Sequence, residues 1–530
     1  MQESKSKLFK QRLFRLHIAA GVIFSIIMYI AIFFGIFAIL LPYIKTWEKP
    51  SRHIQTTDIF NIDYNYMINK VLEDESFPKD DILINLPGRM NDPAVIITNP
   101  FVKPIAFNPT TKERLEDETK EKSHLADFLN ELHYGQPLKL IGRLSFGFVA
   151  VGTLVLTITG LILIYLFKFA NKGKNQQAVF SKIHVKVFTW AFLPFLLITL
   201  SGAVMNVGLI SSGPMSKIVS KGQAKAIDEV VGKVLFEESK PIKKLNEPTK
   251  MLELKELLKK ASKVNPELTF KQIRLKNWND KSSQVEIVGY NPYKPFLNGG
   301  IFNRPTVTLN AQSGKLIKNQ KVMDKVWPVF VAESLFFLHF LFGIDIFSRI
   351  IVAIIMALCA IAIGFAMMLY LEKKAKKYDK KITFYHWLGK FTLASMIGVI
   401  PATGVLFLLQ WLLPFSLEHR VLWQQGIFYN VWLFTLFWSF FRINSYQASK
   451  EFLYSGGVIF ILSAFIHSIN SGFSFFELIS FNLRNILAVD ISLILFGAIL
   501  IYIAKKLPSN RSEAKLFWIL NKKVKYEKNI

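Results

Sequence analysis

Eight stretches of this chain are apolar for long enough to cross a lipid bilayer, near residues 16–44, 141–168, 185–210, 344–371, 387–413, 421–441, 453–470 and 486–504. A helix of about 20 apolar residues spans the hydrocarbon core, where no water is present to satisfy an open backbone. The pattern predicts an α-helical polytopic membrane protein with about eight transmembrane helices. The 51% hydrophobic and 14% aromatic content, with 48 phenylalanines in 530 residues, argues against an ordinary soluble domain.

The formal charge of +27 follows the spans. Lys5, Lys7, Lys10, Arg12 and Arg15 precede the first; Lys168, Lys172, Lys174, Lys182 and Lys186 cluster in 168–186, from the end of the second to the start of the third. Lys373, Lys374, Lys376, Lys377, Lys380, Lys381 and Lys390 lie between the fourth and fifth, and a basic tail runs from Lys505 to Lys528. Eight spans place all four clusters on one side, so the positive-inside rule puts both termini in the cytoplasm. The charge is then a matter of topology and lipid contact, and nucleic acid is not an expected partner. The first apolar run is too long for a signal-peptide core and lacks a small-residue cleavage site, so it reads as an uncleaved span. Cys359, the single cysteine, excludes an internal disulfide, a CxxCH haem attachment and a cysteine-bound iron–sulfur cluster.

The chain therefore divides into residues 1–44 (N-terminus and first span), a first soluble module at 45–140, spans two and three at 141–210, and a second soluble module at 211–330. Spans four and five follow at 331–413, three further spans at 414–504 and the tail at 505–530. In the second module Leu252 to Val264 has helical spacing, while Leu268–Leu275, Gln284–Tyr290 and Thr306–Leu316 read as strands between Asn, Gly and Pro turns. The strand-turn-strand from Val307 to Ile317 has a weaker echo in Ile105 to Leu115. Both modules are thus expected to be small and α+β, within an internal repeat.

Histidines mark the spans in two spacings. His17, His184 and His386 each open an apolar run and are followed eighteen residues on by Gly35, Gly202 and Gly404, about five turns and about 27 Å of rise. His133 and His339 are each followed ten residues on by Arg143 and Arg349, which open runs ending in Thr159-Gly160 and Ile363-Gly364. An interfacial histidine taken alone is an anchor or a packing residue; five in two recurring spacings point to ligation, because anchoring tolerates Trp, Tyr or Lys equally. Neutral imidazole is the usual protein ligand of haem iron, and helical bundles hold haem between facing histidines.

Topology sorts the five. His133 and His339 share one edge of the membrane and form the expected outer pair. His17, His184 and His386 share the other; the repeat favours His17 with His184, and His386 is the reserve. Arg143 and Arg349 stand on the outer side against the charge bias, as propionate partners or as snorkelling interfacial arginines. Gly35, Gly160, Gly202, Gly364 and Gly404 leave room for a macrocycle or for close helix packing. His53 and His124 read as surface residues, and His419 and His467 as non-ligands.

These motifs resemble a known family, the PepSY-associated transmembrane proteins, which include ferric-siderophore reductases of the bacterial inner membrane. The resemblance rests on Leu16-His17 with Gly21, Leu132-His133-Tyr134-Gly135 with Gly142-Arg143 and Thr159-Gly160, and His184 with Ser201-Gly202. It rests also on Leu338-His339 with Ser348-Arg349, on His386-Trp387-Leu388-Gly389 with Thr403-Gly404, and on the PepSY-like end Asn310-Ala311-Gln312-Ser313-Gly314. The first module has Thr111-Lys112 where the family usually has Thr-Gly. The resemblance implies a reductase with two b-type haems, which takes electrons from a quinol or a cytoplasmic reductase and delivers them to a ferric siderophore or other ferric chelate in the periplasm. Two rivals stand beside it: a transporter for iron or its chelate, and a non-catalytic anchor whose modules bind a periplasmic partner.

Overall fold

The structure is a computed structural model that describes residues 2–115, 122–167, 176–224, 229–230, 242–293, 304–321, 327–341, 345–377, 383–442 and 444–523. The basic segments 168–175, 378–382 and 524–530 lie outside the described residues. In chain order the helices are α1 (Gln2–Ile39), α2 (Leu41–Trp47), α3 (Tyr64–Leu72), α4 (Leu125–Tyr134), α5 (Lys139–Leu166), α6 (Gln176–Trp190), α7 (Phe192–Ala203), α8 (Leu209–Val219) and α9 (Leu254–Val264). There follow α10 (Trp327–Phe340), α11 (Ile346–Lys377), α12 (Thr383–Met396), α13 (Val399–Leu412), α14 (Arg420–Phe441), α15 (Ser445–Asn470), α16 (Phe475–Ser480), α17 (Arg484–Lys506) and α18 (Arg511–Lys523). The strands are β1 (Asp81–Asn85), β2 (Val95–Asn99), β3 (Val102–Phe107), β4 (Thr269–Lys276), β5 (Gln284–Tyr290), β6 (Thr306–Asn310) and β7 (Leu316–Gln320).

Among the described residues, six helical segments are long and apolar enough to cross a membrane, or seven if the bent pair of α6 and α7 is one span. This is a multi-pass membrane protein with fewer such spans than the expected eight. The segment near 421–441 does form a 22-residue helix, α14, but it is not among those spans. Its polar side chains face inward: Gln424 donates to the Leu406 carbonyl, and Arg420 to the Lys122 carbonyl. The span near 185–210 is bent by 74° between Trp190 and Phe192. Pro194 explains the break, since it lacks the N–H that would bond the carbonyl four residues back, at Trp190. Pro401 stands in the same relation to Ile397, where α12 gives way to α13.

Two bundles share the membrane region. In the first, α1 packs on α5 and α11, α5 on α7, and α11 on α6. In the second, α13 packs on α14 and α15, and α15 on α17. The segment Thr383–Leu412 joins them and is the most enclosed, with 83% of its apolar window buried. α5 is at the periphery: Ile141, Leu144, Phe148, Val151, Val155, Ile158, Ile162 and Tyr165 are all exposed, at alternating steps of three and four, which is the lipid-facing stripe of a spanning helix.

The soluble segments were expected as two modules, and they form one sheet. Seven antiparallel strands run in the order β3-β2-β1-β4-β5-β6-β7, and β1 pairs with β4 through Ile82↔Leu275 and Ile84↔Ile273. The alternation decides it: Ile82, Ile84, Ile273, Leu275, Val285 and Ile287 all point to one face, where α3 and α9 cover the strands of both segments with a common core. On the other face Arg274 makes a bidentate pair with Asp81 across the joint, at 2.7 and 2.6 Å. Either half alone would leave a long unpaired edge at β1 or β4. The sheet sits on the bundles through α2 and α17: Thr46 donates to the Asn91 carbonyl, and Asn485 to the Asn91 side chain.

Candidate cofactor site

α4 ends on His133 and Tyr134 because Gly135 turns the chain with φ +77°. Gly142, the fourth residue of α5, lies against the Gly135 carbonyl with no space for a Cβ. This corner sets His133 beside α1. His339 comes from the last turn of α10, His17 from α1 and His184 from α6.

The structure brings these four together in two pairs. The rings of His133 and His339 have centroids 5.9 Å apart and are inclined by 32°, at the end of the bundle nearest the sheet. Those of His17 and His184 are 6.5 Å apart and inclined by 63°. His386 joins neither pair; it is exposed on α12 and packs edge-on against Phe440.

Each paired ring is anchored through Nδ1. His133 donates to the Ala31 carbonyl at 2.7 Å, and His184 to the Ala362 carbonyl at 3.2 Å. His17 bonds Thr159 Oγ1 at 3.0 Å, and that hydroxyl already donates to the Val155 carbonyl, so His17 is the donor. His339 bonds Ser201 Oγ at 3.2 Å, whose proton is committed to the Leu197 carbonyl. A carbonyl or a committed hydroxyl can only accept, so all four rings carry a proton on Nδ1, and the neutral ring then has its lone pair on Nε2. Neutral imidazole fixed by a partner on its other nitrogen is the form that ligates a metal.

The glycines face these rings. A Cβ on Gly35 would lie 3.0 Å from His133, one on Gly160 3.2 Å from His17, and one on Gly202 3.1 Å from His339. The eighteen-residue spacing thus lets α1 give a histidine to one pair and a glycine to the other. Gly364 has no neighbour within 4 Å, and Gly404 packs against Ile459 on α15. Arg349 is buried, with Nη1 on the Ile39 carbonyl and Nη2 on the Leu341 carbonyl, both at 2.6 Å, so it ties the ends of α1 and α10 to α11. Arg143 is half-buried near Tyr134. Among the described residues no cluster of three or more His, Cys, Asp or Glu is arranged to hold a metal, so a metal here would rest on two imidazoles.

The model of the PepSY-associated TM region matches residues 14–373, which is 360 of the chain's 530 and includes all four paired histidines. The chain belongs to this family. No curated protein matches it. The PepSY-associated TM region ends before His386 and before the second bundle.

That second bundle contains polar residues whose importance the sequence reading missed. His53, expected at the surface, is 5% exposed, because the turn Pro50–Arg52 folds it under the sheet onto the helices. Its ring centroid is 5.2 Å from that of His467, which is fully buried. Asp490 on α17 binds His467 Nδ1 at 2.8 Å and the Trp47 indole at 2.8 Å. The readable signal was Asp490 itself, an acid inside an apolar run. Next to it, Glu48 is buried and accepts from the Ala126 amide at the start of α4. Burial pushes the Glu48 carboxyl up to about 7 and holds the His53 imidazole down to about 3.

Proposed function

We propose that the protein is a reductase of the bacterial inner membrane that holds one b-type haem between His17 and His184 and a second between His133 and His339. Its acceptor is a ferric siderophore or other ferric chelate on the sheet side, which is the periplasmic side, and both termini are cytoplasmic. The observation that carries this reading is the set of four half-buried imidazoles, in two pairs, each with Nδ1 held by the protein so that the neutral ring has its lone pair on Nε2. Haem supplies one-electron transfer that none of the side chains here can perform.

The chain's own residues set ligation, depth and dielectric. Thr159, Ser201 and the carbonyls of Ala31 and Ala362 fix each ring's tautomer, and Gly35, Gly160 and Gly202 leave the rings their space. Arg349 holds together the three helix ends around the outer pair, and Arg143, near Tyr134, would meet a propionate. The electron donor, a quinol or a cytoplasmic reductase, meets the His17 and His184 end. One electron converts Fe(III) to Fe(II), which binds hard oxygen ligands less tightly and so leaves its carrier. No acid–base catalyst is required.

The bent span of α6 and α7 is the feature that favours a transporter, since transporters bind ions at broken helices. Pro194 accounts for the break, however, and no charged residue lies between Lys186 and Lys217. The test is an oxidised and dithionite-reduced absorption spectrum of the purified protein with haem quantified per chain. Two low-spin b-type haems, falling to one in His133→Ala or His339→Ala, support the reductase. A haem-free protein from haem-replete cells overturns it and leaves the non-catalytic anchor.

A further inference from the structure

Three buried ring nitrogens between α2, α13 and α15 have no hydrogen-bond partner in the protein: His53 Nδ1, His467 Nε2 and Trp411 Nε1. Their rings are mutual neighbours, with centroids 5.2 Å apart for the two histidines, 5.5 Å for His53 and Trp411, and 4.6 Å for Trp411 and His467. All three residues are 5% exposed or less.

The protons on these rings can be assigned. His53 Nε2 lies 3.3 Å from the Trp47 carbonyl, which only accepts, so the proton is on Nε2 and Nδ1 is a lone pair. Asp490 accepts the Trp47 indole N–H on one oxygen and His467 Nδ1–H on the other, so in the neutral ring His467 Nε2 is a lone pair as well. Trp411 Nε1–H can only donate. The three orphans are two acceptors and one donor.

That set selects its ligand. A metal ion would satisfy the two imidazoles and leave the indole hydrogen directed at a cation. A water molecule donates twice and accepts once, and three bonds is the usual complement of a buried water. We propose that His53, His467 and Trp411 form a closed binding site for a single water molecule. The water completes a chain from the Asp490 carboxylate through His467 and His53 to the Trp47 carbonyl. Trp47 is followed by Glu48, whose carboxyl accepts from the Ala126 amide in the first turn of α4, and His133 stands in the last turn of that helix. The second bundle thereby acquires a role: it fixes the α2 elbow from which His133 is positioned.

The experiment is a density map of the full-length protein in nanodiscs, at a resolution that shows ordered water, with metal content measured on the same sample. The expected result is one isolated peak within hydrogen-bonding distance of all three nitrogens and no bound transition metal at that site. A metal there, an empty space, or a direct nitrogen–nitrogen contact overturns the proposal. Solid-state NMR of 15N-histidine protein gives a second reading that needs no map: His53 neutral with Nε2–H and His467 neutral with Nδ1–H, assigned with His53→Asn and His467→Asn. An imidazolium or the other tautomer at either position also overturns it. No haem ligand of the proposed function is involved, so this site stands or falls independently of that reading.

Discussion

The two bundles each enclose paired histidines, and their surroundings differ. In the first, the rings lie 5.9 and 6.5 Å apart, and glycines on the facing helices leave space around them. In the second, His53 and His467 are 5.2 Å apart and nearly perpendicular at 79°, with the indoles of Trp47 and Trp411 packed over them. The anchors differ too: hydroxyls and backbone carbonyls in the first, a carboxylate on His467 in the second. On the proposed readings the same residue type would serve a large planar cofactor or a single small ligand according to what stands beside it, and the facing glycines and indoles are what tell the two surroundings apart.

The widest break in this comparison comes from filling the glycine spaces. Gly160→Val and Gly202→Val push a side chain into His17 and His339 respectively, and each variant is expected to lose one haem of two while remaining folded. Gly364→Val, in the same bundle but with open space around it, keeps both. Haem per chain is the measurement; equal loss in all three would mean that the glycines serve helix packing alone.

Asp490→Ala tests the other side. It removes the acceptor of both the Trp47 indole and His467 Nδ1 inside a fully buried cluster. A cost of about 2–6 kcal/mol is expected, at about 1–3 kcal/mol for each of the two buried donors left unsatisfied. The thermal unfolding midpoint in detergent should fall well below wild type while the haem count stays at two. An unchanged midpoint would show that the second cluster carries no structural load.

Glu48 gives a smaller effect with a definite sign. Its carboxyl is raised from 4.5 to about 7, chiefly by burial and against the pull of the Ala126 amide. The folded state thus prefers the protonated form, and the stability this group contributes is complete below about pH 4.5 and lost as pH rises through about 7. Glu48→Gln copies the protonated form, so it should gain on wild type by up to about 3 kcal/mol across that window. His53, depressed from 6.5 to about 3, acts in the opposite sense, its contribution being present above 6.5 and lost as pH falls through about 3. The variant-minus-wild-type difference is therefore the quantity to follow, and a flat difference would contradict a raised Glu48.

Much of the first bundle is legible in the sequence because its signals are local or periodic. The apolar runs, the His–Gly spacing of five turns and the stripe on α5 all follow from helix geometry. What could not be read is what depends on contacts across long separations. The single sheet needs β1 to meet β4 almost two hundred residues away, and alternation in each strand fixes a buried face without naming its neighbour. His53 and His467 lie at opposite ends of the chain and share no spacing with the other histidines. The expected span near 421–441 is a different case: α14 has the length but is not among the helices apolar enough to cross, because Gln424, Gln425 and Asn430 interrupt its apolar run.

The two halves of the sheet offer the finest comparison, in a pair of turns with corresponding hydrogen bonds. After β6 the Asn310 side chain accepts from the Gln312 and Ser313 amides, and Gly314 N–H closes on the Asn310 carbonyl. After β3 the Asn108 side chain accepts from Thr110 and Thr111, and Lys112 N–H closes on the Asn108 carbonyl. The closing residue is left-handed in both, at φ +67° for Gly314 and +63° for Lys112. Glycine takes that conformation without strain, whereas a residue with a Cβ pays about 1–2 kcal/mol. Lys112 recovers part of this through its 2.8 Å ion pair with Asp63, an exposed contact worth at most about 1 kcal/mol. Gly314→Ala should therefore lower stability by about 1 kcal/mol, and Lys112→Gly should change it by less, because lost strain and lost ion pair offset. Measuring Lys112→Gly at high salt, where the ion pair is already screened, should turn the near-zero change into a net gain; a loss there would mean the lysine holds the turn by something other than charge.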